Sequence, residues 1–334
     1  MLFQDPFLPN SLPPALIPTP SLHFSALNRS PELASIDYAV ADLTSIVPGA
    51  MAPVYGKNIA KSQYIASVGK VVAMVAAFWL RRNFRSSLLV SSAKTTKEAI
   101  AEVQNAWSKR LPSYAFPRVD RIFDVRNVDG VLTVTFKQTF LAHMKKMIGE
   151  SNTTATFHVV NALQIPYMVG AMKAANLYLD KKGGLWLGGD YNPNMGLGGR
   201  ADPVTRKYQA GSPFALVDLM SRLETRSLLS KSDSDEMVAM MSVNSSFSRR
   251  LASPWNTTTQ AYGKLGVYEW KTYGDQRSDA SVLRRAVNVA GTSVSVRYAI
   301  AVTKVRNLAN LTFLIDRVDE ALAKTHRAGM AVVR

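Results

Sequence analysis

The sequence predicts an α+β fold: an antiparallel sheet built from both chain ends, with an all-α subdomain inserted between them. Three observations predict it. Strand-like alternation occurs near the N-terminus, over Ile36–Leu43 and Met51–Tyr55. It returns near the C-terminus, over Lys264–Lys271 and Ser293–Thr303. Between these lie segments with helical periodicity. Strands at the two ends and helices in the middle imply one mixed sheet interrupted by a helical excursion.

In chain order, prolines at 6, 9, 13, 14, 18 and 20 make residues 1–30 an extended arm. Ile36–Leu43 and Met51–Tyr55 pair as a hairpin through the turn Val47-Pro-Gly-Ala. A long helix runs from Ser67 to about Arg85, apolar on every side from Val71 to Leu80 and hence buried. Thr95–Lys109 is a second helix, capped by Thr95 or Thr96. Ile122–Phe136 is a hairpin turning at Asp129-Gly130. Helices follow over Thr139–Ile148, Thr153–Leu163, Tyr167–Leu179, Pro213–Leu229 and Ser234–Asn244. Gly183–Gly211, rich in Gly, Pro and Asn, reads as a long surface loop. Leu308–Ala323 is a closing amphipathic helix. The domains expected are an arm (1–30), an α/β subdomain (31–85 with 256–334) and a mainly helical subdomain (86–255) carrying a hairpin insertion at 118–140.

Composition excludes several classes. The 334 residues include no cysteine, which removes disulfides, thiolate nucleophiles and cysteine–zinc sites. The four histidines, His23, His143, His158 and His326, lack metal-ligand spacing, so no metal and no cofactor are expected. A net charge of +16 draws a protein toward polyanions, but the basic residues are scattered and clusters such as Arg81-Arg82 and Arg284-Arg285 are only pairs. A solvated basic surface is expected, without nucleic-acid binding. Val71–Leu80 is too short to span a bilayer. The N-terminus lacks a basic start followed by an apolar block; the compartment is not legible, and the expectation is periplasmic or secreted if a leader was removed, otherwise cytoplasmic.

The segment with the most chemistry is Ser67-Val-Gly-Lys70, at the head of the long apolar helix. Positions i and i+3 share a helix face, so an amine reaches a hydroxyl that needs a base to lose its proton. Free N–H groups at a helix start favour developing negative charge. The bland reading is a helix-capping serine with a lysine whose head reaches out to water.

With this motif the chain resembles the serine β-lactamase and penicillin-binding-protein superfamily, whose signatures are S-x-x-K, S-D-N and K-T-G. Ser67-Val-Gly-Lys70 matches the first fully. Ser151-Asn-Thr153 stands for the second and Lys264-Leu-Gly266 for the third, in the right order. The resemblance covers about residues 31–334 and implies a β-lactamase-like fold. It also implies a serine hydrolase or acyltransferase forming an acyl-serine on an amide, ester or peptide, β-lactam-like substrates included. Ser67 would be the nucleophile, Lys70 its base, Ser151 a proton relay and Lys264 a nearby positive charge. The N–H groups of Ser67 and Val267 would form the oxyanion hole, and Thr153, Leu265 and Gly266 would contact substrate. Leu265 stands where a hydroxyl residue is usual, and Thr153 where asparagine is usual, which turns expectation away from efficient β-lactam hydrolysis. With no glutamate between Glu150 and Glu224, Asp190 and Asn194 are the deacylation candidates, with Tyr191 behind them. For Asp190-Tyr-Asn-Pro-Asn194 the bland alternative is an Asx turn. A second functional reading is a catalytically degenerate module that binds cell-wall polymer or a protein partner. The substrate is expected to be a small molecule or peptide. Oligomeric state is not legible.

Overall fold

The computed structural model describes residues 16–46, 52–89, 91, 93–108, 116–129, 131–192, 198–242, 244–247, 260–268 and 276–332. In chain order the elements are β1 (Leu16–Pro18), α1 (Leu22–Leu27), β2 (Asp37–Asp42), β3 (Ala52–Lys57), β4 (Gln63–Tyr64), α2 (Lys70–Leu88) and α3 (Thr96–Ser108). Then come α4 (Val119–Ile122), β5 (Phe123–Val128), β6 (Val131–Phe136), α5 (Gln138–Gly149), α6 (Thr153–Leu163) and α7 (Ile165–Ala174). Four short strands follow: β7 (Tyr178–Leu179), β8 (Gly183–Gly184), β9 (Trp186–Leu187) and β10 (Gln209–Gly211). The chain closes with α8 (Pro213–Glu224), α9 (Lys231–Met241), β11 (Gln260–Tyr268), β12 (Gln276–Val289), β13 (Thr292–Val305) and α10 (Leu308–Val332). The chain divides into two compact units, a helical one over Gly69–Ala210 and a sheet unit joining Leu12–Val68 to Gly211–Arg334.

The sheet unit holds a six-stranded sheet in the order β1-β3-β2-β13-β12-β11, so strands from both ends of the chain lie side by side. Only β1 with β3 is parallel; the remaining pairs are antiparallel. Strand periodicity explains both faces. Tyr38, Val40, Tyr298, Ile300 and Val302 point to one side, where Phe24 and Leu27 of α1 and Leu311, Ile315 and Val318 of α10 complete a buried cluster. The opposite face carries Ala39, Ala41, Ala299 and Ala301, paired 41 with 299 and 39 with 301. None of these four belongs to that cluster, and α8 packs on β2, β12 and β13. Side chains this small let a helix lie close to the strands.

The helical unit is built around α2, in which every residue from Lys70 to Arg81 is buried. Helices α5, α6 and α7 pack on it. The hairpin β5–β6 docks there too, with Phe78 against Phe136 and Phe84 stacked on Phe123. Asp129 has φ +51°, the left-handed value that a tight hairpin turn demands.

Several expectations need correction. Leu16–Pro18 and Leu22–Leu27 are a strand and a helix, not an extended arm. The prolines stop at 20, and Phe24 and Leu27, three apart, bury one helical face. The stretch from Gly183 to Gly189 is buried and contains β8 and β9, so it is no surface loop. Its glycines permit close passage of backbone: a Cβ on Gly188 would lie 1.8 Å from the Arg200 carbonyl oxygen. Helix α7 ends at Ala174, where Asn176 takes φ +56°, and α8 ends at Glu224, where Arg226 takes φ +60°. The turn at Val47–Ala50 lies outside the described residues.

Candidate active site

Of the residues singled out, Ser67, Lys264, Leu265, Gly266 and Val267 lie in the sheet unit, and Lys70, Ser151, Thr153 and Asp190 in the helical unit. Asn194 lies outside the described residues.

In the helical unit the sequence around Lys70 starts a helix with no side-chain cap. Lys70 itself is 1% exposed, so its head does not reach out to water. Burial pushes its pKa down to about 8, because the charged form loses more hydration than the neutral one. Its Nζ donates to the Ser151 carbonyl oxygen at 2.5 Å and lies 3.4 Å from the Ser151 Oγ. Ser151 is presented by a left-handed backbone, φ +57°. The residue that caps α6 is not Ser151 but Asn152, whose Oδ1 accepts the Ala155 N–H at 2.8 Å. Capping therefore does not account for Ser151. Thr153 is the exposed first residue of α6.

The Lys70 amine also lies 5.5 Å from the centre of the Tyr191 ring. The Tyr191 hydroxyl accepts from Gln209 Nε2 at 2.6 Å, and both side chains are buried. Asp190, beside it, turns its carboxylate to the Asn192 N–H at 3.2 Å, the Asx geometry.

In the sheet unit Ser67 sits in a 3-10 turn, Ala66–Gly69, rather than on the α-helix expected there. Ala66 is left-handed (φ +48°), which breaks the helix upstream. Ser67 does not cap α2, whose capping position is Gly69. The edge strand β11 runs past this turn. A Cβ on Gly266 would lie 2.6 Å from the Ile65 carbonyl oxygen, 2.8 Å from Val68 N and 3.0 Å from Ser67 N. Only glycine allows that approach.

Strand periodicity then locates Val267 N–H. Leu265 N–H leaves the sheet to meet the Asn244 carbonyl at 2.7 Å. Val267, two residues on, directs its N–H to the same open side, beside the turn that holds Ser67 N. A backbone donor free of the sheet is of the kind that can stabilise a developing anion. Lys264 is completely buried, and its Nζ donates to Asn244 Oδ1 at 3.0 Å and to the Leu265 carbonyl at 2.7 Å. Asp279, on the neighbouring strand, has a pKa raised to about 7 by burial, against the opposing pull of the Ser281 and Ser246 hydrogen bonds and the Lys264 charge.

Sequence reasoning did not find Asn244 or Gln209. Both act through long-range contacts and carry no local signature. Among the described residues no group of three or more His, Asp or Glu could hold a metal ion. No helix among them is long and apolar enough to cross a membrane.

A family model described as the beta-lactamase enzyme family matches residues 124–309, more than half of the chain. The chain belongs to the beta-lactamase enzyme family. It is thus a serine hydrolase of the β-lactamase-like type. Solved structures show the same fold. A representative class A beta-lactamase from Bacteroides cellulosilyticus aligns at TM-score 0.52 and 14% identity, covering 93% of this chain and 100% of that one. The TLA-1 extended-spectrum beta-lactamase aligns at TM-score 0.50 and 12% identity, covering 86% and 92%. No curated protein matches the chain.

Proposed function

We propose that this family member cleaves an amide, ester or peptide through an acyl-serine at Ser67, with Lys70 as general base. One observation carries the reading: Lys70 is a buried lysine with its amine on Ser151 and a pKa lowered to about 8. A lysine with an ordinary pKa stays charged at neutral pH and accepts no proton; this one is neutral in an appreciable fraction.

In the first step Ser67 Oγ bonds to the substrate carbonyl carbon and its proton passes to Lys70 Nζ. The N–H groups of Ser67 and Val267 hold the oxyanion. The carbon–nitrogen or carbon–oxygen bond to the leaving group then breaks, and the proton travels through Ser151 Oγ onto that group. Lys70, neutral again, takes a proton from water as the water oxygen bonds to the acyl carbon. The ester bond to Ser67 breaks and Oγ recovers the proton. Lys264 supplies positive charge for an anionic substrate group. Leu265 and Thr153, in place of the usual hydroxyl and amide, favour an acyclic ester or amide over a β-lactam. Asp190, turned to Asn192, is better read as a turn residue than as a deacylation base. A merely binding module has no use for a buried amine held near neutrality.

Treatment of the intact protein with a fluorophosphonate or a fluorescent penicillin, followed by peptide mass analysis, is expected to place one adduct on Ser67. Ser67→Ala should lose the adduct and at least about 10³-fold in turnover. No adduct with either probe, together with unchanged turnover in Ser67→Ala, would overturn the assignment.

A further inference from the structure

Tyr191 sits on a left-handed backbone, φ +57°. For a bulky aromatic this is a genuine outlier, and such strain collects at functional sites. The side chain is buried, its hydroxyl is tied by Gln209, and its ring lies 5.5 Å from the Lys70 amine. Among the described residues Lys70 makes no ion pair, and no charged group contributes to its lowered pKa. The carboxylates that follow Ser151 in this unit are engaged elsewhere. Asp180 pairs with Lys173, Asp190 accepts from Asn192, and Asp202 accepts from Tyr178 and Thr205. A buried ammonium still needs a counterpart. Among the described residues, the groups against it include the Ser151 oxygens and the negative face of the Tyr191 ring.

We propose that Tyr191 is a positioning residue for Lys70: its ring holds the amine on Ser151 and stabilises the ammonium formed when Lys70 takes a proton. The ring is held in place by its burial; the hydroxyl accepts from Gln209 and has no part in proton transfer. This proposal rests on Lys70 acting as the base for Ser67, but its first test does not.

That test is a side-chain NMR titration of Lys70 in the full chain, with the resonance assigned by its loss in Lys70→Met. Tyr191→Phe keeps the ring; Tyr191→Leu, with Tyr191→Met in reserve should the leucine variant not fold, keeps the apolar volume without it. In the ring-less variant the Lys70 midpoint should fall by about half a pH unit or more, because the ammonium loses its π face. In Tyr191→Phe it should stay at the parent value. The rate of Ser67 acylation at saturating probe should drop about 10-fold in the ring-less variant, with probe KM held, and be rescued in Tyr191→Phe. A ring-less variant with the parent's midpoint and acylation rate would overturn the proposal, as would loss of both in Tyr191→Phe. Failure of the parent to acylate at Ser67 would instead remove the hydrolase reading and leave the NMR comparison to stand or fall by itself.

Discussion

The two units hold their candidate site residues by different physical means. In the helical unit the work is done by side chains: Lys70 is stripped of water, and Ser151 and Tyr191 reach it from two left-handed residues, each at φ +57°. In the sheet unit it is done by backbone. Gly266 lets an edge strand pass within 3.0 Å of Ser67 N, measured from the Cβ it lacks, and strand periodicity aims Val267 N–H along the same edge. Burial tunes a proton affinity continuously, while main-chain donors are fixed by hydrogen-bonded pairing. Proton handling is therefore expected to be sensitive to pH and to side-chain shape, and oxyanion binding to any atom added to the backbone.

The largest effect that breaks the comparison comes from Lys70→Met, which keeps the volume and removes the proposed base. Acylation of Ser67 should fall about 10²–10⁴-fold. Thermal denaturation should shift upward at neutral pH, because the fold no longer has to bury a partly charged amine. A variant both inactive and less stable would show that Lys70 is held for structure.

Next in size is Gly266→Ala, whose methyl would meet main-chain oxygen and nitrogen of the 65–68 turn. The shift this forces should reduce acylation about 10- to 100-fold, less than the 10²–10³-fold expected when an oxyanion donor is lost outright. The Lys70 midpoint, set by burial in the other unit, should not move. A parallel change in that midpoint would erase the division of labour between the units.

The smallest expected effect is at Asn152, beside Ser151. Asn152→Ala removes the α6 cap and should cost about 1 kcal/mol in denaturant titration. Activity should change far less than in Lys70→Met.

How legible all this was depended on range. The hairpin over Phe123–Phe136 and helix α6 were readable because their signals are local: a turn residue at Asp129 and alternation on each side, and a polar residue ahead of an apolar run. Strand β12 was not, since Ser278–Leu283 is buried on both faces and so lacks alternation, and Arg284-Arg285 then looks like solvent-exposed chain. Glycine misled at 183–189, where it serves close backbone passage rather than a loop. The S-x-x-K spacing pointed to Ser67 and Lys70, but not to the 3-10 turn beneath Ser67, which depends on a left-handed Ala66. Nothing in the local sequence links Tyr191 to Gln209 or Asn244 to Lys264, because those pairs exist only after the chain has folded.

The Lys70 pKa also makes a linkage prediction. It falls from 10.5 to about 8 on folding, so between those values the unfolded chain binds more protons than the native one. Lys70 therefore makes stability rise with pH through that window, and its penalty is fully present below about 8.

The most direct test pairs two pH profiles on the intact protein: the rate of Ser67 labelling by a fluorophosphonate, and the ionisation of Lys70 followed by NMR. The account predicts that labelling rises with pH and that both curves share a midpoint near 8. A labelling rate independent of pH, or a Lys70 that titrates near 10.5 while labelling proceeds at pH 7, would contradict it.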